Sequence, residues 1–225
     1  MHAGVSVQGD KYYGTKATMN VWKPIIQQSN EFSLSQLWVV ADDNPRLFIY
    51  RTRDAYQTTG CYNLLCSGFI QTNNKMALGG TISPISAYDA SQYEYNLLVW
   101  KDITRGDWWL QFGNEALGYW PTSLFSHLAD SASLIQWGGE VVNSASDGQH
   151  TTTQMGSGHF PEEGFGKASH IKNIQIVDGS NNLRAPIGVS TFAEQSNCYN
   201  VQMGNNGDWG IYFYYGGPGR NPNCP

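Results

Sequence analysis

Apolar and polar residues alternate with a period of two along most of this chain, and no other feature limits its fold so sharply. The runs are ATMNVW (17–22), SLSQLWVV (33–40), RLFIY (46–50), YEYNLLVW (93–100), DWWLQF (107–112), SLIQWGGEVV (133–142), IKNIQIVD (171–178) and WGIYFYY (209–215). Successive side chains of a strand point to opposite sheet faces, so each run reads as a half-buried β-strand. Turn signals separate them: DDNP, TRGD, DGS, GNNG and GGPG. Residues 121–133 (PTSLFSHLADSAS) form the one helix-like stretch, with Leu124, Phe125 and Leu128 on a shared face. No solenoid or propeller repeat and no low-complexity linker divides the chain. With 8 Trp, 13 Tyr and 25 Gly among 225 residues, the chain favours strands and turns over amphipathic helices. The predicted fold is all-β, a single domain over residues 1–225: an antiparallel two-sheet β-sandwich of jelly-roll or lectin-like type with one or two short helices.

Charge narrows the partners. The net charge is −5, with 13 Lys and Arg and no basic run, so neither nucleic acid nor an anionic membrane surface is expected. No apolar run reaches the length of a spanning helix, and the opening MHAGVSVQGDKYYG lacks the basic and apolar regions of a signal peptide. The cysteines form two local pairs, Cys61 with Cys66 and Cys198 with Cys224. Neither has the spacing of a zinc site, so no metal is expected and two short-loop disulfides are the favoured reading. Buried free thiols are the other reading, and four cysteines permit three connectivities.

The chemistry centres on Glu140 in SLIQWGGEVVN (133–143). Strand alternation puts Gln136, Gly138 and Glu140 on one face and Ile135, Trp137, Gly139 and Val141 on the other. A face of Gln, Gly and Glu does not suit a core, and glycines admit close backbone approach, so this face reads as a groove floor. Most strand carboxylates are merely solvated. In a groove walled by Trp109, Tyr119 or Trp120, desolvation would instead raise the pKa of Glu140 and make it a proton donor. Gln136, Trp109, Tyr119 and Trp120 are the substrate-binding candidates. A carboxylate enzyme also needs a second carboxylate or an amide partner to divide acid and base roles. His127, His150, His159 and His170 are scattered without H-E-x-x-H spacing and read as surface or groove-rim residues. GSGHF (156–160) lacks the strand-turn-helix context of a serine nucleophile, and GGPGRNP is turn material. The loop over 145–169 is long enough to border a binding site.

Several motifs are long and chemically unusual: YYGTKATMNVWKP, FSLSQLWV, GCYNLLCSGFIQTNN, WWLQFG, LGYWP, GGEVVN, TQMGSGHFPEEGFGKAS and YFYYGGPG. Together they resemble the catalytic domain of the neprosin family of plant glutamic peptidases. The resemblance implies a two-sheet antiparallel sandwich with disulfides Cys61–Cys66 and Cys198–Cys224. It implies a secreted, monomeric acid endopeptidase that cleaves polypeptides after proline, using two glutamates and no cofactor. Glu140 matches one of the pair. The other belongs to a strand resembling I-E-A-G-W-x-V between the LWV and PRLF segments, where this chain runs LWVVADDNPRLFIY.

That strand is missing here, near residues 40–43, so impaired activity is expected. Asp42 and Asp43 read as turn residues rather than substitutes. Backbone groups would be left unpaired unless LWVV and RLFIY pair directly through ADDNP. Met1 stands almost directly before the catalytic domain, without the leader and activation segment the family carries, which points to an incomplete gene model, a splice form or a degenerating copy. Two other functions fit a sandwich of this kind: a non-catalytic module binding proline-rich peptides or cell-wall glycans through Trp and Tyr, and a glycoside hydrolase, which would need a second carboxylate.

Overall fold

The structure is a computed structural model and describes residues 1–41, 44–47, 50–51, 61–65, 67–144 and 148–225. Sixteen strands are described: β1 (His2–Tyr12), β2 (Gly14–Asn20), β3 (Ser33–Ala41), β4 (Asn44–Leu47), β5 (Tyr50–Arg51), β6 (Cys61–Tyr62), β7 (Ile70–Gln71), β8 (Glu94–Lys101), β9 (Trp108–Phe112), β10 (Glu115–Trp120), β11 (Ala132–Val141), β12 (Ser169–Val177), β13 (Leu183–Arg184), β14 (Ser190–Ala193), β15 (Asn200–Asn206) and β16 (Gly210–Gly216). They form two antiparallel sheets. The first runs β14-β1-β11-β3-β4-β5-β6, and the second β15-β16-β12-β2-β8-β9-β10-β7 with β13 beside β12. The all-β sandwich expected from the alternation is the fold observed.

The core lies between the sheets and is built from the inward half of each alternating strand. Ala3, Val5 and Val7 of β1, Leu37 and Val39 of β3, and Ile135, Trp137 and Val141 of β11 are buried. They face Ala17 and Met19 of β2, Ile171 of β12, and Phe213 and Tyr215 of β16. Trp137 satisfies its one polar atom inside this layer: Nε1 donates to Thr15 Oγ1 of β2 at 3.1 Å. That bond fixes which face of β11 looks inward, and so leaves Gln136, Gly138 and Glu140 on the outer face of the first sheet.

Two glycines set the spacing there. Gly4 and Gly138 are register partners on β1 and β11, and a Cβ on either would collide with the other strand's backbone. Gly139, one residue on, lies against Met155 and Tyr215 from the opposite layer.

Several expectations need adjustment. The helix over 121–133 is a single 3-10 turn, Thr122–Leu124, after which Phe125 is extended. Phe125 and Leu128 still turn inward, but the Leu128 carbonyl accepts from Trp108 Nε1 at 2.8 Å, a bond that binds this segment to β9. A second 3-10 turn, Pro161–Glu163, lies in the long loop. The described part of that loop packs partly inward, with Thr151, Thr153 and Met155 fully buried, while Gly156 and Ser169 line a small cleft beside Leu34 and Ser35 of β3. β1, the longest strand, carries Gly4, Gly9 and a polar run that hide its alternation.

β3 and β4 pair directly, Val39 with Leu47, Val40 with Arg46 and Ala41 with Asn44. The end of β3 is therefore paired directly with β4 where the sequence was expected to lack a strand. Asp42 and Asp43 lie outside the described residues, as does Cys66, and with them the expected turn and the Cys61–Cys66 bond. Cys198 and Cys224 are disulfide-bonded with Cα atoms 5.4 Å apart, which ties down the C-terminal segment. Among the described residues, no helix is long and apolar enough to cross a membrane.

Candidate functional site

Glu140 stands on the outer face of β11 in a row crossing four chain segments. Its register partners are His2 on β1 and Leu34 on β3. On the far side of β1, Ala3 pairs with Ala193, which brings Glu194, the residue after β14, beside His2. Glu194 N donates to His2 O at 3.1 Å, and His2 N donates to Glu194 Oε2 at 3.1 Å. The sheet thus lines up Glu194, His2, Glu140 and Leu34, with Gln36 two residues along β3 on the same face.

Both carboxylate oxygens of Glu140 are engaged. Gln36 Nε2 donates to Oε2 at 2.5 Å, and His2 Nε2 lies 3.5 Å from Oε1. The other His2 nitrogen, Nδ1, is 2.7 Å from Glu194 Oε1. Gln36 is 5% exposed, whereas the Glu140 side chain is 24% exposed, so the carboxylate is held from beneath and remains open to solvent. Trp38, 2% exposed, packs edge-on against the His2 ring with centroids 6.0 Å apart.

These contacts decide the charges. Burial pushes the Glu140 carboxyl up, but the His2 ring beside it and the bond from Gln36 outweigh that and hold it below its ordinary value. The Glu140 carboxylate beside it raises the His2 imidazole, burial opposes this, and Glu194 adds to the rise. Glu140 is therefore an anion beside a cation at mildly acid pH. This reverses the expectation of a desolvated proton donor, because the partners supplied by β1 and β3 outweigh the cost of burial.

The other sequence candidates divide between two layers. Gln136 shares the face of Glu140 and pairs with Ser6 and Trp38. Trp109 and Tyr119 are register partners on β9 and β10 in the second sheet, with ring centroids 4.8 Å apart, and Trp100 lies 6.1 Å beyond Trp109. Their strand neighbours Trp108 and Leu110 point into the core, so these rings look outward from the opposite side of the sandwich. Trp120 is buried in the core against Phe69, 4.5 Å away. Alternation assigned each ring a face but not a sheet, so the aromatic wall expected around Glu140 is not assembled from these residues.

Two histidines expected at the surface are buried. His170, 0% exposed, has Nε2 2.8 Å from Glu94 Oε1, and Lys172 Nζ is 2.8 Å from Glu94 Oε2. The His170 bond, followed by Lys172, takes the Glu94 pKa down to about 2 against the opposing effect of burial. His150 is buried against Tyr199 and groups with Cys198 and Cys224, whose sulfurs are joined to each other and so are not metal donors. His127 is exposed, and His159 pairs with Glu163 at 2.8 Å.

A further carboxylate escaped the sequence reading. Glu31 is 7% exposed and accepts from Thr153 Oγ1, Thr151 Oγ1 and the amide and hydroxyl of Ser144. Burial raises its pKa, but these donors together take it down to about 2. With both oxygens saturated inside the long loop, Glu31 is a structural anion.

His2, Gln36 and Glu194 were also missed as site residues. Gln36 did carry a signal, since alternation in SLSQLW puts Leu34, Gln36 and Trp38 on one face. No sequence signal joined that face to Glu140, because the link is strand register.

A sequence model of one protein family, described as Neprosin, matches residues 36–218. Among solved structures, that of scytalido-glutamic peptidase with a peptide-based transition state analog is similar over 96% of this chain and 97% of that one. The TM-score is 0.50 and the identity 9%, a likeness of fold.

Proposed function

Since this chain belongs to the neprosin family, we propose that it is a glutamic peptidase domain that hydrolyses polypeptides at acid pH, cleaving after proline, with Glu140 as the base that activates water. The observation that carries this reading is the setting of Glu140: partly open to solvent and held through both oxygens on an outer sheet face by contacts that favour its ionised form. A base must be deprotonated at the working pH, and the contacts to Gln36 and His2 support that state. Gln36 is the amide partner that orients it. Gln136 lies on the same face, along the path an extended peptide would take. The Cys198–Cys224 bond favours an oxidising, extracellular setting, and the domain acts as a monomer without a metal or cofactor. Turnover is slower than in a two-glutamate enzyme, because the strand expected to carry the second glutamate is absent.

The test is cleavage of a proline-containing peptide between about pH 3 and 6, a range set by ordinary carboxylate and imidazole pKa values, with product ends read by mass spectrometry. Cleavage after proline that is lost in Glu140→Gln is the expected result. If the parent protein leaves the peptide intact, the peptidase reading fails.

A second reading rests on the outward row Trp100, Trp109 and Tyr119, which offers aromatic surface on the face opposite Glu140. Such a row suits proline or pyranose rings, and it would make the domain a binding module. Tryptophan fluorescence during titration with a proline-rich peptide or a soluble β-glucan tests it, and an unchanged spectrum removes it.

A further inference from the structure

We propose that His2 is the acid partner of Glu140, donating from Nε2 the proton that a second carboxylic acid would otherwise supply to the departing amine. This rests on the peptidase reading above and concerns how one glutamate could manage both proton transfers.

Hydrolysis needs a base that takes a proton from water and an acid that gives one to the departing amine; one carboxyl can do both in turn, and a neighbouring acid spares it the second task. Among the described residues, the face around Glu140 holds a group of complementary chemistry. The His2 imidazole is Glu140's cross-strand partner, its Nε2 lies 3.5 Å from Oε1, and its side chain is 27% exposed, so ring and carboxylate both face the same solvent. Nδ1 is 2.7 Å from Glu194 Oε1. A carboxylate on one imidazole nitrogen fixes the ring and favours its protonated form, leaving the other nitrogen to do chemistry. The edge of Trp38 limits rotation of the ring from one side. Among the described residues, the charged groups facing His2 are Glu140 from β11 and Glu194 after β14, and the Met1 amino group lies 3.6 Å from Glu194 Oε2.

The proton count closes. Glu140 removes one proton from water as the water oxygen bonds to the peptide carbonyl carbon. His2 gives its Nε2 proton to the amide nitrogen as the carbon–nitrogen bond breaks. Glu140 then returns its proton to His2 across the gap between them, which restores anion and cation. One water is divided between acid and amine products, and nothing else is consumed.

The pH window follows from the two shifts. Glu140, with its pKa lowered, serves as base once pH rises above that value, and His2, with its pKa raised, stays an acid until pH climbs through it. The activity profile is a bell whose alkaline limb belongs to His2.

The experiment compares cleavage of the proline-containing peptide by the parent, Glu140→Gln, His2→Gln, His2→Gly and Glu194→Gln proteins across pH. His2→Gln is expected to lower kcat about 100-fold with little change in KM, and to lose the parent's alkaline limb. Added imidazole restores turnover in His2→Gly, which a purely structural role would not allow. Glu194→Gln keeps the ring but removes its supporting charge, so the alkaline limb moves to lower pH. That variant still decides the question if those at position 2 do not fold. If Glu140→Gln is inactive while His2→Gln keeps the parent's rate and profile, the inference is overturned and the peptidase reading stands. A parent protein without cleavage overturns both.

Discussion

Oε2 of Glu140 accepts from Nε2 of Gln36 at 2.5 Å, across strands whose residues are 104 positions apart in sequence. The bond favours the ionised carboxylate, so its removal has a definite sign. In Gln36→Leu the pKa of Glu140 rises, and the acid limb of the activity profile shifts to higher pH. A hydrogen bond to a charged group is worth about 2 kcal/mol, which corresponds to about a 30-fold loss of turnover if it is fully expressed in the transition state. A rate-versus-pH comparison with the parent reads both effects, and an unmoved acid limb would show that Gln36 does not set the charge of Glu140.

Glu31 links stability to pH. Its carboxyl is held at about 2 against an ordinary 4.5. A group with a depressed folded pKa contributes stability above its unfolded value and loses it as pH falls toward the folded one, here between about 4.5 and 2. The parent should therefore weaken across that window in urea unfolding. Glu31→Gln should be weaker at neutral pH by about 2 kcal/mol, with a smaller further loss on acidification.

At Gly138 even a methyl group is too large, because its Cβ would run into β1 backbone at Ala3 and Gly4. Gly138→Ala is expected to lower stability by about 3 kcal/mol and to reduce cleavage further by parting His2 from Glu140. Thermal unfolding together with residual activity checks this. A stable, fully active variant would mean that β1 can move away from β11 without disturbing the pair.

Reduction of Cys198–Cys224 frees the C-terminal segment. The closed loop spans 26 residues, a length for which chain entropy gives about 3.5 kcal/mol. The double variant Cys198→Ala/Cys224→Ala should unfold at correspondingly lower denaturant. The midpoint of this variant should also be less sensitive to added reductant than the parent's.

Most strands were legible where alternation was clean, but RLFIY (46–50) divides between β4 and β5, which pair antiparallel. Residues 133–142 announced β11 and the outward face of Glu140, and Trp137 confirms that face by its bond to Thr15. β1 was not legible, because Gly4 is there for close approach to Gly138 and the polar residues near its end break the pattern. His2 was lost with it. Trp109 and Trp120 were recognisable as strand aromatics, yet placing them beside Glu140 required knowing their sheet, and sheet membership depends on pairings between distant strands. Gln36 and Glu194 reach the site only through register, which a single sequence does not encode locally.

The row Glu194, His2, Glu140 and Gln36 has a consequence for when chemistry can begin. Its members lie near the start of the chain, shortly after it, past its middle and close to its end. During synthesis, Glu140 emerges with His2 and Gln36 already made, but the carboxylate that steadies His2 follows 54 residues later, the difference between positions 194 and 140. Contacts of such long sequence separation form late in folding. A partly made or partly folded chain therefore carries the glutamate without its complete charge arrangement, and under the proposed peptidase function cleavage waits for the finished sheet.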